Sequence, residues 1–154
     1  MTVTLDDIKQ AHQRIQPYIH CTPILQSTQL NKLFTCELFF KADNMQKVGA
    51  FKARGACNAL FSMTQEALAN GVITHSSGNH GAALAWAAAM RKTSCTVVMP
   101  ENAPQAKKDA VLSYGATVVY CEPTMTAREG TVARLIEQQG ARLVHPYDDD
   151  LIIA

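Results

Sequence analysis

The chain predicts an α/β protein, a three-layer unit built on a parallel sheet. Strand-like runs open near Val72, Cys95, Thr117 and Leu143, roughly 22–26 residues apart, and each interval holds one stretch of helical spacing. Glycines at 115 and 140 close the second and third of those helical stretches, where a left-handed residue ends a helix. Strand-helix-strand crossovers of this length put helices on both faces of the sheet. No repeat beyond this period and no low-complexity segment is present.

In order, Thr4 stands three residues before Asp7, a capping box using aspartate, and Leu5, Ile8, Ala11 and Ile15 follow at helical spacing. Pro17 ends that helix. An extended Ile24-Leu25 follows Cys21-Thr22-Pro23, then a short helix from Ser27 to Lys32. Glu37-Leu38-Phe39-Phe40-Lys41 reads as a strand running to a tight turn at Gly49. Lys52 opens the next helix, with Ala56, Cys57, Leu60 and Phe61 on its buried face. Ala82 to Met90 is an alanine-rich helix, Pro104 occupies the first position of another, and Thr126 with Glu129 forms a capping box for the third.

With 154 residues, 47% hydrophobic and 18% charged, the chain fits one soluble globular unit. A net charge of +1 and no basic stripe argue against nucleic acid; Arg91-Lys92 and Lys107-Lys108 are expected on solvated helix faces. Five scattered cysteines without a Cys-x-x-Cys pair favour neither a disulfide framework nor a zinc site, and are expected as small core residues in a reducing compartment. The first residues lack a basic and then apolar leader, and no apolar run is long enough for a membrane span. A cytoplasmic location is the expectation.

Chemistry concentrates in two stretches. In Val48-Gly49-Ala50-Phe51-Lys52-Ala53-Arg54, an ammonium in the first helical turn faces the positive end of the macrodipole, and Arg54 adds like charge. Both disfavour the charged form, which is what an imine-forming amine requires, and Phe51 adds partial desolvation. Alone, such a lysine is more often a poorly placed surface cap. The second stretch, Ser76-Ser77-Gly78-Asn79-His80-Gly81, follows the first strand of the parallel unit and precedes a helix, where open α/β sheets bind ligands. Backbone N–H groups of residues 78–81 can seat a carboxylate or phosphate, although the same residues are also ordinary capping chemistry. His75 and His80 are more often packed or solvent-facing than ligands, and the five histidines show no metal spacing.

These two stretches, with Met99-Pro100-Glu101-Asn102-Ala103-Pro104, Tyr114-Gly115-Ala116, Tyr120-Cys121-Glu122-Pro123 and His145-Pro146, resemble the fold-type II pyridoxal-phosphate enzymes of tryptophan synthase β-like fold. The branch is that of serine racemases and serine/threonine dehydratases. The resemblance implies that Lys52 forms the Schiff base with pyridoxal 5′-phosphate and removes the substrate α-proton, with Phe51 beside the cofactor ring and Asn79 on the ring oxygen. It assigns the substrate carboxylate to Ser76, Asn79 and His80, and the acid/base role on the opposite face to Ser77. Racemisation or loss of a β-hydroxyl from serine, threonine or a related hydroxy amino acid follows.

By the same resemblance, residues 1–70 are the start of a large cofactor domain, 71–147 a small α/β domain, and 148–154 the return to the large one. The phosphate-binding loop and the Mg or Mn site of the family fall after Ala154, so the chain is expected to be the first half of a longer, homodimeric enzyme and inactive alone. Departures are Val48 and Ala50, where relatives carry hydroxyls, Asp43 in place of glutamate, and Tyr147 where racemases often carry asparagine. A silent half-chain serving as an assembly module is the other reading. Nucleotide binding by the turn at residues 78–81 lacks a glycine-rich or Gly-Lys-Ser/Thr signature.

Overall fold

The computed structural model describes residues 3–154. Helix α1 (Leu5–Ile15) starts at Thr4, whose side chain accepts from the Asp7 N–H while the Asp7 carboxylate accepts from the Thr4 N–H. Its Ala11 and Ile15 are buried, whereas Leu5 and Ile8 are exposed. Strand β1 (Ile24–Leu25), helix α2 (Thr28–Phe34) and strand β2 (Phe40–Lys41) follow, with Ser27 capping α2. The strand expected from Glu37 shrinks to its last two residues because its partner β1 offers only two for an antiparallel ladder. Both strands are exposed.

Helix α3 (Lys52–Ser62) begins directly after a turn in which Val48 (φ 56°) and Gly49 (φ 68°) are both left-handed. From there the chain alternates as its spacing requires: β3 (Val72–His75), α4 (Asn79–Arg91), β4 (Cys95–Pro100), α5 (Gln105–Ser113), β5 (Thr117–Cys121), α6 (Met125–Gln139), β6 (Arg142–Leu143) and α7 (Asp150–Ile153). Strands β5-β4-β3-β6 form one sheet in that order, every pair parallel, with Val72 opposite Cys95 and Arg142. Pro104 stands just before α5 as its cap residue, and Thr124 caps α6 by accepting from the Ala127 N–H. The box expected from Thr126 and Glu129 does not form, because the extended Thr124 after Pro123 already starts the helix two residues earlier.

Alternation along β3 divides the core. Val72 faces α3, α4 and α5 together with Leu60, Leu84, Val97 and Val111, whereas Ile73 and Val98 face α6 with Val132 and Leu135. Each fully buried aliphatic side chain of this kind contributes about 1.5–3 kcal/mol relative to exposure. Helix α3 packs on α4, and the residues both helices send into the shared core are largely small, Ala56 and Ala59 from one and Ala83, Ala87 and Ala88 from the other. Short side chains let the two backbones approach closely. Buried Asn58 ties α3 to both chain ends: its Oδ1 accepts from Arg14, and its Nδ2 donates to the Leu151 carbonyl at 2.8 Å. All five cysteines are free thiols; Cys57, Cys95 and Cys121 are buried as expected, but Cys21 and Cys36 are exposed because the segments carrying them lie outside the core. Burial pushes the Cys57 and Cys95 thiols up to about 12.

Candidate functional site

Lys52 is half-buried in the first turn of α3, and its Nζ donates to the carbonyl oxygen of Pro146 at 2.6 Å. It also lies 5.2 Å from the centroid of the Phe51 ring. Phe51 itself is 60% exposed, so it shields one side of the amine without enclosing it. Arg54 does not supply the unpaired like charge expected from its place two residues after Lys52. That guanidinium forms a two-pronged pair with Asp43, Nε to Oδ2 at 2.8 Å and a terminal nitrogen to Oδ1 at 2.9 Å, and so is no unpaired like charge beside Lys52. Helix geometry explains this, since residues two apart point to different sides. The Arg54 pair and the Thr22 hydroxyl, which donates to Asp43 Oδ1 at 2.6 Å, hold the Asp43 carboxyl down at about 2.

The loop between β3 and α4 runs off the carboxyl end of a central strand. Ser76 is half-buried, and its Oγ accepts from the Gly78 N–H at 3.2 Å, so that amide is engaged within the loop. Ser77 and Asn79 are exposed. Gly81 lets α4 lie close on the sheet: a Cβ there would stand 2.9 Å from Val97 Cγ1.

His80 is buried, with Nε2 placed 3.4 Å from the Val144 carbonyl and Nδ1 without a partner. Burial above all, then the nearby charges of Lys52, His145 and His75, lowers its pKa to about 4 against the opposing Val144 bond. The ring is therefore neutral at pH 7, with Nε2–H donating to Val144 and Nδ1 left as an acceptor. Such a ring has no spare donor for an anion.

Two adjacent cavities share Phe51. One, of about 290 Å³, is lined by Lys52, Gly55, Tyr147 and Ile152 besides Phe51; the other, of about 280 Å³, by Lys41, Asp43, Gly49, Ala50, Phe51 and Asn79. The structure thus brings Phe51 and Lys52 to one recess and Phe51 and Asn79 to the next, and neither recess is lined by Ser76, Ser77 or His80. The polar groups of the second recess are already bonded on their far sides. Lys41 Nζ donates to the Thr22 carbonyl at 2.5 Å, and Asp43 is held by Arg54.

Four residues in or around these recesses were not legible as such. Pro146 acts through its backbone carbonyl, which leaves no mark in a residue code. Tyr147 lines the Lys52 recess beside His145, whose ring centroid is 4.5 Å away. Lys107 and Lys108, expected on a solvated face, both have partners. Lys107 Nζ donates to Asn79 Oδ1 at 2.7 Å, and Lys108 Nζ donates to the Glu101 carbonyl at 2.7 Å.

Among the described residues, no three His, Cys, Asp or Glu side chains gather into a metal-holding group, and no helix is long and apolar enough to cross a membrane. An amine with a ring beside it, one recess away from the carboxamide of Asn79, suits an aldehyde-bearing aromatic cofactor. The donor set fits pyridoxal phosphate.

Known proteins agree with that chemistry. Residues 15–154 match the family model described as pyridoxal-phosphate dependent enzyme. The chain is 54% identical to the serine racemase of Dictyostelium discoideum over 153 residues, covering 99% of this chain and 47% of that protein. It is 50% identical to the beta-hydroxyaspartate dehydratase of Paracoccus denitrificans, covering 98% and 48%. The structure of maize serine racemase superposes with a TM-score of 0.97 at 40% identity, covering 99% of this chain and 46% of that one. The chain spans about half the length of the curated relatives it matches.

Proposed function

Because the chain belongs to the pyridoxal-phosphate-dependent enzyme family, we propose that it forms part of a longer enzyme that racemises serine-type hydroxy amino acids, dehydrates them, or does both. The observation that carries this reading is the placement of Lys52, its Nζ 2.6 Å from the Pro146 carbonyl and beside Phe51, one recess from Asn79. When bound, the cofactor supplies an electron sink for the carbanion formed at the substrate α-carbon.

In this reading Lys52 holds the cofactor through Nζ and moves the α-proton on its own face. Phe51 packs beside the ring and Asn79 donates to the ring oxygen. Ser76 and Asn79, with the backbone N–H groups at the start of α4, hold the substrate carboxylate. His80 contributes there through its main chain, since its side-chain donor is turned to Val144. Ser77 exchanges a proton on the opposite face, which permits inversion; departure of a β-hydroxyl instead gives the dehydrated product and then a keto acid.

The same reading divides the protein into the start of a large cofactor domain over 1–70, a small domain over 71–147 and the return to the large domain over 148–154. Exposed Ile24, Leu33, Phe34, Phe39 and Phe40 then meet the remainder of the longer polypeptide. A cytoplasmic homodimer, with any Mg or Mn site outside these residues, completes it; five free thiols suit a reducing compartment.

The test is the full-length protein with pyridoxal phosphate and, separately, L-serine, L-threonine and 3-hydroxyaspartate, following keto acid and the opposite enantiomer together. Lys52→Ala is expected to remove both products and the absorbance of the lysine-bound cofactor. Ser77→Ala is expected to cost about 10²- to 10⁴-fold in racemisation and much less in elimination. Retained cofactor linkage in Lys52→Ala overturns the reading.

A further inference from the structure

We propose that Lys107 is a positioning residue for Asn79, fixing which end of its carboxamide faces the Phe51 recess. This rests on the cofactor reading above and deepens it. Lys107 lies in the first turn of α5, which packs on α4, and its Nζ reaches Asn79 Oδ1 at 2.7 Å, 28 residues away in sequence. An ammonium has three donors and no acceptor, so only the amide oxygen can face it at that distance. Turning the carboxamide over would set NH2 against NH3⁺. With the oxygen turned to Lys107, the NH2 of Asn79 is the end left without a partner of its own beside the cavity it lines with Phe51.

That donor has a chemical consequence. A ring oxygen that accepts from an N–H is favoured as the anion, because the phenolate is a stronger acceptor than the neutral phenol. Lys107 thus selects the charge state of the cofactor's ring oxygen from a distance, through the amide and without touching the ring. Its neighbour cannot substitute. Lys108 is tied to the Glu101 carbonyl and lies 5.0 Å from the centroid of the Tyr120 ring.

The experiment uses the full-length holoenzyme and four variants: Lys107→Met, Lys107→Arg, Asn79→Ala and the double variant Lys107→Met with Asn79→Ala. Pyridoxal phosphate affinity and the pH dependence of the long-wavelength absorbance of the lysine-bound cofactor are read for each. Lys107→Met is expected to weaken affinity by about three- to tenfold, the scale of losing one charge-assisted hydrogen bond at an exposed site, and to shift absorbance toward the neutral-phenol form. Lys107→Arg should restore most of both, and adding Lys107→Met to Asn79→Ala should change nothing further. Wild-type affinity and spectrum in Lys107→Met, or additive effects in the double variant, overturn the inference. Lys52→Ala serves as the separate control: if it keeps the covalent cofactor absorbance, the cofactor reading fails, whatever Lys107 does.

Discussion

Lys52 Nζ and the carbonyl oxygen of Pro146 stand 2.6 Å apart although 94 residues separate them in the chain. The contact joins the first turn of α3 to the segment after β6, so the amine is placed by two elements that the sheet brings together. Anything that moves α3 against the last residues of the chain moves Lys52 as well.

Gly55 controls that distance. A Cβ there would lie 2.5 Å from the backbone oxygen of Ile152 in α7, and a backbone atom cannot swing aside as a side-chain end can. Gly55→Ala is expected to destabilise the protein by about 2 kcal/mol through overpacking and to weaken cofactor binding, although the substitution favours a helix by propensity alone. Thermal unfolding alongside cofactor titration checks it; an unchanged or raised midpoint would contradict the close approach.

Val48 reverses an ordinary preference. A β-branched residue at φ 56° carries left-handed strain of about 1–2 kcal/mol, held in place by packing against the buried cluster under α3 and α4. Val48→Ala loses the packing and keeps the strain, whereas Val48→Gly loses the packing and relieves it. The glycine variant is therefore expected to be the more stable of the two by about 1 kcal/mol. Denaturation of the pair side by side decides the matter.

Acid acts in two separate windows. His80 is depressed from 6.5 to about 4 by burial, so between those values the unfolded chain binds a proton that the folded chain refuses. Stability is full above pH 6.5 and falls as the pH drops toward 4, by about 2 kcal/mol at pH 5. Asp43, depressed from 3.8 to about 2 chiefly by its hydrogen bonds from Arg54, adds its own loss only below pH 3.8. Unfolding midpoints at pH 7.5 and 5.0, with NMR titration of the imidazole, test the first window; an imidazole with an ordinary midpoint near 6.5 would rule it out.

The parallel unit was legible because β3 to β6 and their helices keep a regular spacing, with Gly115 and Gly140 closing α5 and α6, so strand starts at Val72, Cys95 and Thr117 agree with the sequence reading. The segment before Lys52 was less so. Glu37 to Phe39 have strand composition but no pairing partner, and pairing is a property of two segments rather than one. In the candidate site, Lys52 and the loop from Ser76 to His80 stand out by residue type and order, although neither recess is lined by Ser76, Ser77 or His80. The company of Arg54 did not, because its partner Asp43 acts across a turn, and neither did the partners of Lys107 and His80, which come from other elements. Side-chain direction depends on three-dimensional neighbours that spacing along a chain does not encode.

The amide of Asn58 imposes an order of events. Once packing buries it, its oxygen needs Arg14 and its NH2 needs the Leu151 carbonyl, and leaving either end unmatched there is costly. A growing chain shorter than 151 residues therefore lacks one of the two partners of that amide, and α3 is fully tied down only once Leu151 has been made.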